Sequence, residues 1–122
     1  MSAPAARAEM PRAVVVAYRP NAGRTEEFLT CLRDHLPVLR AEGLATDLPP
    51  VVLRAASGAF VEVFEWRSDA AVERAHDNPA VQALWARFAA CCEYVPLASL
   101  PEAQQLFSPF ERVESAAAAP AG

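Results

Sequence analysis

Residues 60–85, FVEVFEWRSDAAVERAHDNPAVQALW, restrict this chain more than any other stretch. Ala59 to Trp66 is rich in valine and aromatic residues, as strands are, and its alternate side chains Phe60, Glu62, Phe64 and Trp66 share one face. Ser68 follows at once as a helix N-cap, and Asn78-Pro79 breaks and restarts the helix, with proline at the first helical position. The chain must therefore pass from a strand into a two-part helix that carries His76 and then Trp85.

The flanking sequence supplies the other elements. Ala13 to Tyr18 (AVVVAY) is a β-branched run bounded by Pro11 and Pro20 and reads as a first strand. Thr25 caps a helix whose stripe is Phe28, Leu32, Leu36 and Leu39, kinked at Pro37 and closed at Gly43 with Leu44 folding back. Val51 to Ala55 reads as a second strand. Ser57-Gly58 then forms a tight turn into the third, pairing Ala56 with Ala59 and setting Leu53 opposite Glu62. In the second part of the broken helix Val81, Leu84, Trp85, Phe88 and Cys92 share a face. Ser99 to Glu102 has the form of a capping box opening a short helix, and Phe107 to Glu114 offers a last strand, which Pro109 assigns to an edge. The order β-α-β-β-α-β predicts an α+β fold, a ferredoxin-like split βαβ sandwich whose antiparallel four-stranded sheet has helices on one face.

AVVVAY and VVLRA are apolar on both parities, the signature of a sheet covered on both faces. Helices cover one face, so a second copy of the sheet is expected on the other, which makes the chain a homodimer.

Composition narrows the function. With 53% apolar and 21% charged residues in 122, this is one globular domain at 12–114, flanked by disordered tails at 1–11 and 115–122. A net charge of −4 without a basic patch argues against nucleic acid, and no apolar run is long enough for a membrane span. Residues 1–11 lack a secretory h-region, and Cys31, Cys91 and Cys92 have no metal-ligand spacing. A cytoplasmic location with free, packed thiols is expected.

The strand end and helix start resemble those of the dimeric α/β-barrel superfamily, in particular the antibiotic-biosynthesis-monooxygenase type of domain. Trp66, Ser68, Ala75, His76 and Pro79 carry the resemblance, which extends over about residues 12 to 114. It implies a dimeric barrel with a pocket between sheet and helices in each subunit, in a group containing cofactor-free oxygenases of quinol-like aromatics, haem degraders and isomerases. The haem-degrading branch resembles a Trp followed by an iron-ligating His, with an Asn on the first strand. Here His76 precedes Trp85 and the first strand has no Asn, so no cofactor and no metal is expected. The oxygenases place an amide and a Trp near the end of the third strand; Trp66 matches the second, while Glu62 stands where the amide is expected.

Glu62 is the sharpest anomaly, a carboxylate among three aromatic residues. It reads either as a general base with a raised pKa or as the partner of an arginine from another element. His76, at a helix end, reads as a proton acceptor for a phenol or as a ligand of its own helix carbonyls. Both are candidate catalytic residues. Phe60, Phe64, Trp66, Trp85, His35 and Tyr18 are candidate substrate-binding residues, with the alternative that the aromatics are simply core. The expected function is a small cofactor-independent monooxygenase acting on an apolar aromatic or quinol-type molecule. The alternatives are a barrel that binds a hydrophobic metabolite or assists a partner enzyme, and a purely structural dimerisation module.

Overall fold

The computed structural model describes residues 9–113; the expected tails, apart from 9–11, fall outside them, as does Glu114. Eight regular elements follow one another: β1 (Arg12–Pro20), α1 (Thr25–Ala41), β2 (Val51–Arg54), β3 (Phe60–Trp66), α2 (Asp69–Ala75), α3 (Pro79–Cys91), β4 (Cys92–Val95) and β5 (Glu111–Arg112). Two short 3₁₀ turns, Leu97–Ser99 and Pro101–Gln104, lie between β4 and β5. The fold is α+β, with one antiparallel sheet in the order β4-β1-β3-β2-β5.

The sheet has five strands where four were expected. The additional strand is Cys92–Val95, whose first residue continues the apolar spacing of α3 in the sequence. Cys92 is instead fully extended (φ −157°, ψ 176°) and turns the chain directly from helix into strand. The late strand contracts to Glu111–Arg112 and pairs only with β2, at the sheet edge.

Local signals explain most boundaries. Ser68 Oγ accepts the Ala71 N–H at 3.0 Å and Asn78 Oδ1 accepts that of Val81 at 3.1 Å. Gly43, at φ +73°, donates to Arg40 O while Leu44 N–H reaches Leu39 O at 2.8 Å, so both orphan carbonyls are satisfied. Thr25 proves to be the first helical residue, with Arg24 in the cap position and no side-chain cap bond. The capping box does not form. Ser99 Oγ donates back to Pro96 O, and Glu102 reaches across to accept the Ala56 N–H at 2.8 Å.

The β2–β3 turn also differs by one residue. Ala55 pairs with Ala59 around a three-residue loop ending at Gly58 (φ +97°), so Val52, not Leu53, lies opposite Glu62. Arg54 thereby moves onto the Glu62 face, yet its guanidinium lies 5.2 Å over the Phe60 ring and pairs with Glu111, leaving Glu62 untouched.

Tyr18, Phe60, Phe64 and Trp66 meet α1, α2 and α3 on one face of the sheet. On the other face, the 3₁₀ segment packs Leu100 against Ala17 and Val61. The chain thus covers part of the face that was assigned to a second copy, while Val15 and Val51 stay 49% and 43% exposed. Among the described residues no helix is long and apolar enough to cross a membrane.

Gly43→Ala should lower stability by about 1–2 kcal/mol, the cost of a left-handed residue with a Cβ. Urea denaturation reads this directly, and an unchanged midpoint would mean the turn relaxes without strain.

Candidate functional site

The two central strands, β1 and β3, run antiparallel with Val16 opposite Glu62 and Tyr18 opposite Phe60. Strand parity therefore places Val14, Val16 and Tyr18 beside Glu62, Phe64 and Trp66, all toward the helices. On α1, His35 falls on the buried stripe with Phe28, Cys31, Leu32, Leu36 and Leu39. This brings three polar side chains from three elements to one point in an aromatic core.

Glu62 is 1% exposed and is held from two sides. Tyr18 Oη donates to Oε1 at 2.7 Å, and His35 Nδ1 lies 2.9 Å from Oε1 and 3.1 Å from Oε2. Burial, and then the charge of Glu62, push the Tyr18 phenol well above its ordinary value, so its proton stays and its hydroxyl donates. The carboxylate then takes the Nδ1 proton of His35 as its second donor, which leaves Nε2 as the other nitrogen of the ring. The imidazole is clamped edge-on between Phe64 (5.0 Å) and Phe88 (5.3 Å). The arginine partner anticipated for Glu62 is replaced by this His–Tyr pair.

Beside it lies a cavity of about 400 Å³ between sheet and helices, open to solvent. Val14, Val16, Phe64 and Trp66 form its sheet wall, and Tyr18 and His35 form its deep end. Val72 and His76 of the α2 end, Trp85 of α3 and Tyr94 of β4 complete it. His35 lines the cavity, and its hydrogen bonds among the described residues run through Nδ1. His76, at the exposed end, keeps Nδ1 3.0 Å from Val72 O and sets its ring edge-on to Trp85 at 5.2 Å.

Of the residues singled out from sequence, Tyr18, His35, Phe64, Trp66, His76 and Trp85 thus share one cavity. Glu62 and Phe60 do not line it. Glu62 stands behind His35 and Tyr18, and Phe60 packs into the core against Phe28 at 5.2 Å. Tyr94 and the valines were missed; Tyr94 belongs to the unrecognised β4, and alternation along β1 would have found Val14 and Val16.

The thiols are interior packing groups. Cys31 and Cys91 Sγ lie 4.0 Å apart, and burial pushes Cys91 up to about 11 and Cys92 up to about 12, which keeps both protonated and unreactive. No group of three or more His, Cys, Asp or Glu side chains among the described residues is arranged to hold a metal. Compared with known proteins, the chain matches no family model, no curated protein and no solved structure.

Tyr18→Phe should cost about 1–3 kcal/mol, because it leaves a buried carboxylate short of a donor. It should also flatten the alkaline side of the stability profile. A phenol whose folded pKa lies above 10.0 contributes stability that is complete below pH 10 and lost as pH rises beyond it. Urea titrations at neutral pH and above pH 10 test both effects; wild-type-like behaviour in each would show that the bond does not hold in solution.

Proposed function

We propose that this chain is a cofactor-independent monooxygenase-like enzyme of the antibiotic-biosynthesis-monooxygenase type, acting on an apolar aromatic or quinol-type molecule. The observation that carries the reading is an imidazole, His35, held at Nδ1 by a buried carboxylate and lining an aromatic-walled cavity. Hydrogen bonding by Glu62 holds the tautomer in which Nε2 accepts, the arrangement a general base requires. The base is therefore His35, with Glu62 as its positioning residue, rather than Glu62 itself.

In this reaction His35 takes a proton from a phenolic hydroxyl or an activated C–H, leaving an electron-rich anion. The anion reduces dioxygen directly. A ring CH₂ becomes C=O with one oxygen atom, and the other leaves as water with the two hydrogens. The protein supplies desolvation, orientation and the base. The strand order β4-β1-β3-β2 with helices on one face supports a ferredoxin-like unit. The partly open half of the opposite face, with Val15 and Val51, supports pairing into a dimeric α/β barrel. A second reading, a barrel that binds a hydrophobic metabolite without turnover, is favoured by the mainly carbon lining of the cavity.

Oxygen uptake with quinols and anthrone-like aromatics separates the two readings. His35→Gln should lower turnover roughly 10²–10⁴-fold, and Glu62→Gln, whose amide can donate to Nδ1, should also lower it strongly. Turnover that survives both substitutions would remove the dyad from the chemistry, and binding without uptake would favour the metabolite carrier. Sedimentation should return about twice the chain mass of 13.1 kDa; a monomer would overturn the barrel.

A further inference from the structure

The second histidine of the cavity is held in the same tautomer as the first, by a different device. A carbonyl oxygen can only accept, so the 3.0 Å contact with Val72 O places the His76 proton on Nδ1. In the neutral ring the lone pair is then on Nε2, across the ring from the helix backbone. His35 reaches the same state through Glu62. One cavity is thus lined by two imidazoles with Nδ1–H already engaged, one nearly buried at the deep end and one at the exposed mouth. Between them the wall is carbon, from Val16, Phe64, Trp66 and Trp85.

We infer that His76 is a specificity-determining residue, which selects ligands carrying a second hydroxyl donor at the end away from His35. This rests on the reading above, in which His35 Nε2 takes the reacting proton. An apolar body fits the wall between the two acceptors, and a hydroxyl meets each of them. A ligand with an ether or a bare C–H at the mouth leaves the His76 lone pair without a donor after it has lost its water, so it binds more weakly. Tyr94 also lines the cavity, is 55% exposed and packs beside Tyr18 with ring centroids 5.4 Å apart; its hydroxyl is the competing reader of a ligand hydroxyl.

The test uses isomeric naphthalenediols, each against its monomethyl ether, titrated calorimetrically into the full chain under argon so that no oxidation intervenes. The wild type should bind at least one diol about tenfold more tightly than its ether, the worth of one net hydrogen bond. His76→Phe should bring the two affinities together while both still bind. His76→Gln, which restores an acceptor, should recover part of the difference, and Tyr94→Phe should leave it intact. Equal affinities for every pair in the wild type would overturn the role of His76 and leave the reading of His35 standing. Discrimination lost in Tyr94→Phe but kept in His76→Phe would assign the selection to Tyr94. If neither diol nor ether binds, the aromatic-ligand reading itself falls, and the role of His76 with it.

Discussion

A carboxylate in the middle of an aromatic core is the constraint around which the structure is arranged. An unpaired ionised group there would cost several kcal/mol in lost hydration, and pairing offsets this only when the donors are well placed. Glu62 has two donors, and they come from different elements: Tyr18 from the neighbouring strand and His35 from α1. Both bonds hold only if α1 lies over β3 with His35 turned inward. The pair therefore fixes how helix and sheet are set against each other, a specificity that apolar packing alone supplies less sharply.

The cavity inherits this order. Its deep end is made of groups whose positions are determined many times over, by the Glu62 bonds and by the aromatic contacts of Phe64 and Phe88 with the imidazole. Its outer end rests on fewer supports: the caps of two short helices, the bond from Asn78 Nδ2 to Glu42 Oε1 at 2.8 Å, and the packing of His76 on Trp85. A rigid, polar floor beneath a more lightly held opening lets the two ends of the cavity vary independently.

Much of this was legible in the chain because the signals were local. Ser68, Asn78-Pro79 and Gly43 each act through their own backbone bonds, so helix starts and stops could be read without the fold. The alternation of Phe60, Glu62, Phe64 and Trp66 likewise placed a carboxylate toward the helices. What escaped depended on long-range geometry. Cys92 has no propensity that separates a helix end from a strand start, and only pairing with Pro20 decides it. The β2–β3 register turned on one residue of loop length. The partner of Glu62 was His35, 27 positions away, where a search for a countercharge pointed to arginine. Tyr18 is legible as a candidate binding residue at the end of the first strand, but its bond to the carboxylate needs the β1–β3 register.

The seven residues of α2 contribute only Ala71 and Ala75 to the interior. Ser68 closes one end, Asn78 opens the next helix after the other, and neither depends on the identity of the exposed residues between them. Changes at the exposed positions of 69–77 can therefore remodel the entrance without disturbing any partner of Glu62. In an evolving lineage, such a segment lets the shape of the cavity's entrance drift quickly while its deep end stays constant.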